Sequence, residues 1–98
     1  MIIRIVKLSF HTEYISNFKT IFEENKLKII SQKGCTCLEM LEDIKDVNVI
    51  FTYSRWASEE DLNNYRNSEL FKDVWSKTKI LFNSKPEAWS TKKINEVL

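Results

Sequence analysis

Residues Trp56 to Phe82 read WASEEDLNNYRNSELFKDVWSKTKILF, and this stretch decides the fold. Ser58 followed by Glu59, Glu60 and Asp61 has the form of a helix start: a hydroxyl N-cap, an acid three residues on, and negative charge over the positive end of the helix dipole. Ser68 followed by Glu69 restarts the pattern, and Phe71, Val74, Trp75, Thr78 and Phe82 then recur along one face at helical spacing. The stretch therefore predicts two short helices in succession. Immediately upstream, Asn48 to Trp56 predicts a strand that delivers Trp56 to its end. The helices fold back over that strand carrying Tyr65, Phe71 and Trp75, which either close over a pocket or fill a core.

Working outward, the strand's two sides are Val49, Phe51, Tyr53 and Ile50, Thr52, Ser54, Trp56, neither plainly polar. Cys35 to Ile44 predicts a strand before it, and the short link at Lys45 to Val47 makes the two an antiparallel hairpin. Regular alternation puts Cys35 and Cys37 on one face, where their side chains diverge from disulfide geometry. Two free thiols are the expectation. Further upstream, Tyr14, Phe18, Ile21, Phe22 and Ile29 form the apolar stripe of a long helix. Gly34, the only glycine, stands where a left-handed residue would end it. Ile2 to Phe10 is the first strand, with Ile2, Val6, Leu8 and Phe10 on one side and Ile3 and Ile5 on the other. Downstream of the helices, Pro86 suits the start of an edge strand predicted over Ala88 to Ile94.

The order β-α-β-β-α-β, with the second helical segment broken in two, predicts an α+β fold of the ferredoxin-like kind. Its helices would cover one face of a four-stranded antiparallel sheet. The other face is apolar but has no helix to cover it, and an exposed apolar sheet face is an interface. A homodimer joined through the sheet faces is expected.

The 98 residues bound this to a single domain, 1–98, with one modest core. Fifteen basic and fourteen acidic residues leave a net charge of +1 with the lysines dispersed, which argues against a nucleic-acid partner. No apolar run is long enough to cross a bilayer, and the opening MIIRIVKLSF lacks the apolar core of a signal peptide, so no membrane association and a cytoplasmic location are expected. One histidine and two cysteines cannot build an ordinary metal site, and no nucleotide-binding glycine motif is present. No cofactor and no metal are expected.

The run Trp56-x-Ser58-x-Glu60-x-Leu62-x-x-Tyr65-x-x-Ser68-x-x-Phe71 resembles the antibiotic biosynthesis monooxygenase family of small dimeric α+β barrels. The strand order, the apolar start and the GCTCLEML strand agree, so the likeness covers nearly the whole chain. The resemblance implies a dimer with an apolar pocket in each subunit. Characterised members include cofactor-free oxygenases of polycyclic phenols and quinols, and haem-degrading enzymes. Many members carry a histidine where this chain has Tyr65 and another where it has Leu70. The haem-degrading branch has its haem-ligating histidine aligned with Trp75, a tryptophan with Tyr65 and an asparagine with Val6. None of the three is kept, and haem degradation is not expected.

A pocket bounded by Val6, Trp56, Tyr65, Phe71 and Trp75 is the expected substrate site. Trp75 reads first as core and second as pocket wall, since it sits on an apolar stripe. A buried Tyr65 or Tyr53 phenol needs a hydrogen-bond partner, which is either a backbone carbonyl or a substrate oxygen. Arg4 shares a strand face with Ile2, Val6 and Leu8; it either reaches water or an acid, or faces a phenolate in the pocket. His11, at the strand-to-helix junction, is either solvated or a base. Arg55 points the other way, toward the expected interface. Tyr65, Arg4 and His11 are thus the candidate catalytic residues. The leading function is a cofactor-independent monooxygenase acting on a small electron-rich aromatic, a quinol or phenol. The alternative is a non-enzymatic dimeric domain that binds a small apolar ligand.

Overall fold

The computed structural model describes residues 1–98. Strands β1 (Ile2–Ser9), β2 (Cys35–Glu42), β3 (Val49–Trp56) and β4 (Glu87–Thr91) form one antiparallel sheet in the order β2-β3-β1-β4. Helices α1 (Ile15–Ile30), α2 (Glu59–Arg66) and α3 (Glu69–Lys79) complete a ferredoxin-like α+β fold. No helix is long and apolar enough to cross a membrane.

Local chemistry sets the element ends. The Ser58 hydroxyl accepts from the Asp61 N–H at 3.1 Å, and the Ser68 hydroxyl from the Phe71 N–H at 3.1 Å. Both predicted caps are therefore made, and they separate α2 from α3. Gly34 takes φ +84° after α1, and its carbonyl accepts from the Ala57 N–H at 2.7 Å. A Cβ there would lie 2.6 Å from Cβ and Cγ of Asp61, so both backbone and space demand glycine. In the β2–β3 loop the Asp43 carboxylate accepts from the N–H groups of Lys45 and Asp46 at 3.1 and 2.8 Å. That turn ends β2 at Glu42, short of the expected Ile44.

β4 is also shorter than expected, ending at Thr91 instead of Ile94. Thr91 stands opposite Ile3 and β1 begins at Ile2, so at most one residue of β1 remains beyond it and the ladder cannot reach Ile94. α1 begins at Ile15 behind a 3₁₀ turn over Thr12–Tyr14, whose tighter winding carries Tyr14 off the apolar stripe. Tyr14 is exposed, whereas Phe18 and Ile29 are buried as the stripe predicts.

A register shift between Cys35 and Cys37 corrects another expectation. Cys35 pairs with Trp56 and Cys37 with Arg55, so the bulge at Thr36 puts the two thiols on opposite faces of the sheet. Both remain free.

Leu8, Phe10, Phe18, Ile50 and Leu81 form the core between sheet and helices. The outer sheet face carries Ile3, Ile5, Phe51 and Tyr53, with Leu41 45% and Trp89 44% exposed. It is the uncovered apolar face foreseen from the alternation of β1 and β3. On it the Tyr53 hydroxyl accepts from Arg55 Nε at 3.0 Å, which removes both residues from the helix side.

Candidate functional site

Between the inner sheet face and the helices lies a cavity of about 350 Å³. Alternation along β1 sends Arg4, Val6 and Leu8 into it, and alternation along β3 sends Thr52, Ser54 and Trp56. Tyr65 comes from α2, and Phe71, Val74 and Trp75 from α3. Every expected wall residue, Val6, Trp56, Tyr65, Phe71 and Trp75, meets in this one space. The aromatics line it instead of filling it.

They do so by leaning on one another. Tyr65 stacks on Trp56 with ring centres 5.0 Å apart, and Phe71 meets Tyr65 edge-on at 5.3 Å. Phe71 stacks on Trp75 at 5.9 Å, and Trp75 meets Phe82 at 5.5 Å. Phe82 in turn reaches Phe10 at 5.4 Å, tying the wall to the core.

The polar groups gather around Arg4. Its cross-strand neighbours are Ser54 on β3 and Ser90 on β4, and its guanidinium donates to the Ser90 hydroxyl at 2.9 Å. Burial lowers the Arg4 pKa, and the guanidinium of Arg66 lowers it further. Arg66 ends α2 and lines the same cavity. Ser54 is buried and accepts from the Trp56 indole N–H at 3.0 Å; its own proton has no protein acceptor. The Tyr65 hydroxyl makes no hydrogen bond within the protein and is open to the cavity, since no fully buried polar atom lacks a partner; burial of the residue, followed by the charge of nearby Cys35, pushes its pKa up to about 12. It is a neutral donor at any physiological pH, not a base.

His11 lies elsewhere. It is exposed, packs edge-on against Tyr14 at 5.9 Å, and does not line the cavity. Thr52, Ser54 and Arg66 do line it, though sequence reasoning had not singled them out. The β3 alternation that placed Trp56 inward places Thr52 and Ser54 with it, so the signal was present.

The sequence model of the antibiotic biosynthesis monooxygenase family matches residues 1–76. The chain belongs to that family. Among solved structures, this family member is similar to one described as an antibiotic biosynthesis monooxygenase, at 15% identity and TM-score 0.90 over 97% of this chain and 100% of that one. A conserved protein from Methanosarcina mazei Go1 aligns at 17% identity and TM-score 0.89 over 95% and 93%. A protein from Mycobacterium tuberculosis aligns at 12% and 0.89 over 99% and 98%. These likenesses show the fold. No curated protein matches the chain.

Haem, which one branch of the family degrades, does not fit these walls. Trp75, Tyr65 and Val6 offer neither an imidazole nor an amide to the cavity, and the only imidazole is outside it. No three His, Cys, Asp or Glu side chains converge as a metal site.

Proposed function

We propose that this family member is a cofactor-independent monooxygenase of a small electron-rich aromatic, a phenol or quinol. The observation that carries the reading is a largely apolar cavity between sheet and helices with uncommitted donors on its wall. Such a space holds an aromatic nucleus and excludes water, while the donors fix an oxygen substituent. The Tyr65 O–H and the Arg4 guanidinium stabilise the substrate's phenolate or enolate as its proton leaves to solvent.

The anion then gives one electron to dioxygen. The resulting radical pair combines to form a carbon–oxygen bond, and the hydroperoxide eliminates water to leave a quinone or ketone. One oxygen atom stays in the product and the other departs in water, with all reducing electrons drawn from the substrate. The chain's own tasks are binding, orientation and charge stabilisation. The functional unit we propose is a homodimer, the uncovered sheet face of one copy against that of another, in the cytoplasm, where the two free thiols stay reduced.

Oxygen uptake by chelator-treated, colourless protein offered quinols and anthrone-type phenols tests the reading. Tyr65→Phe and Arg4→Ala should each slow turnover by roughly a hundredfold, the scale of a lost oxyanion-hole donor. Parent-like rates in both variants remove those residues from the chemistry. No uptake above buffer across the panel favours the competing reading, a non-enzymatic domain that binds a small apolar ligand in the same cavity.

A further inference from the structure

The charges at the cavity are unbalanced. Arg4 and Arg66 both line it, and neither forms an ion pair with any acid of the chain. Arg4 has only the Ser90 hydroxyl, and the Arg66 side chain has no hydrogen-bond partner. The one carboxylate residue on the cavity wall is Glu87. It stands opposite Lys7 in the β1–β4 register, and both belong to the alternation that faces away from Arg4 and Ser90. Glu87 therefore leaves the two guanidiniums uncompensated. Burial and the proximity of Arg66 both press on Arg4 in the same direction, against its charged form.

Two guanidiniums at the border of an apolar chamber form a receptor for a planar anion. Each offers a fork of N–H donors matched to a carboxylate. An anion between them relieves their mutual repulsion, which a neutral ligand cannot do. The aromatic wall of Trp56, Tyr65 and Phe71 runs beside them, since Tyr65 stacks on Trp56, which pairs with Ile2, the next position of β1 on the same face as Arg4.

We propose that the molecule this cavity takes is an aromatic acid, its ring against the Trp56–Tyr65–Phe71 wall and its carboxylate between Arg4 and Arg66. The inference rests on the monooxygenase reading for calling that acid a substrate, and it narrows the class from phenols to hydroxyaryl carboxylates. Arg66 is then a specificity residue, outside the oxidation itself.

Calorimetric titration with 6-hydroxy-2-naphthoate and with its primary amide, which has the same shape without the charge, tests the site. The acid should bind roughly tenfold to a hundredfold tighter, the scale of a charge-assisted bond to a carboxylate. In Arg66→Gln and Arg4→Gln the ratio of acid to amide affinity should collapse toward one, and Arg66→Lys should keep part of it. Urea unfolding midpoints near the parent's establish that the variants are folded; Arg66 is exposed, so at least that one retains the fold. Equal affinities for acid and amide, no binding of either, or a preference that survives both substitutions overturns the proposal. Oxygen uptake separates the two readings. An acid preference without uptake upholds the carboxylate site and refutes the oxygenase; turnover of neutral phenols without an acid preference does the reverse.

Discussion

Replacing Tyr65 by phenylalanine isolates the most perturbed phenol in the chain. The ring contacts survive the change, with Trp56 at 5.0 Å and Phe71 at 5.3 Å, and the hydroxyl removed has no protein partner. Stability at pH 7 should therefore change by no more than about 1 kcal/mol, because no internal hydrogen bond is lost. The difference emerges in alkali. In the folded chain the phenol ionises near 12, against 10.0 for an unperturbed tyrosine. Between those values the folded state holds more protons than the unfolded one, so stability is full below pH 10 and falls as pH rises toward 12. Two units at about 1.4 kcal/mol each give a loss of about 3 kcal/mol, roughly half of it reached by pH 11.

Urea unfolding at intervals from pH 9 to 11 measures this directly. With a slope of about 1–2 kcal/mol/M for a chain of this size, the parent's midpoint should drop by roughly 1 M more than the variant's. The tyrosinate absorbance of parent minus variant should rise late, centred near pH 12. Identical pH dependence in the two proteins would show a phenol open to water, and with it the loss of the dry enclosure that strengthens its O–H bond to a substrate oxygen.

Gly34→Ala should destabilise by about 2–5 kcal/mol, adding the strain of a positive φ to a clash with the Asp61 side chain; a urea midpoint within error of the parent's contradicts it. Ile5 stands opposite Tyr53 and Trp89 on the uncovered face, so Ile5→Asp should leave the protein monomeric or unfolded in sedimentation at micromolar concentration while the parent runs at about twice its chain mass. A stable parent monomer refutes the sheet-face dimer. Haem titrated in and then reduced should keep its Soret band to the level of a protein-free control, because the wall holds no imidazole to ligate the iron and burial keeps the Tyr65 phenol protonated. Saturable bleaching overturns that expectation.

Where local chemistry acts alone, it was legible in the sequence. Ser58 and Ser68 cap because a hydroxyl three residues before an N–H needs nothing from the rest of the chain. Gly34 was readable for a similar reason, as the only residue type at ease with its φ. The Cys35–Cys37 bulge was not, since one extra residue changes the facing of a strand without changing its composition. The end of β4 depends on where β1 begins, which no reading of residues 87–94 alone contains. Within the site, Arg4, Val6, Trp56, Tyr65, Phe71 and Trp75 converge because alternation and helical spacing place them so. Arg66 escaped notice because its value lies in having no partner, and that emerges only when every acid has been located in space. His11 misled for the opposite reason: a scarce imidazole draws attention in a sequence, but this one is spent on a surface contact with Tyr14.

That the helices enclose a space at all follows from how side-chain bulk is divided between the two sides. The helix side carries Tyr65, Phe71 and Trp75, whose flat faces and edges are engaged by one another along a line. Rings committed to neighbours in that way form a wall, and none is free to swing across and fill the middle. On the sheet side the positions around Arg4 and Val6 are Thr52, Ser54 and Ala88, small side chains where leucine or phenylalanine would have closed the gap. Tight packing is the rule in protein interiors, and an unfilled space of about 350 Å³ forgoes contacts that larger residues would have made. Two of those small residues are also hydroxyls, and one of them, Ser54, already satisfies the Trp56 indole while keeping its proton uncommitted. A chain needing only stability would have placed apolar bulk there. The same positions that leave the room also furnish it with donors, and that coincidence, in a fold whose helices and sheet are otherwise conventionally packed, is why the cavity is read as a site and not as a packing fault.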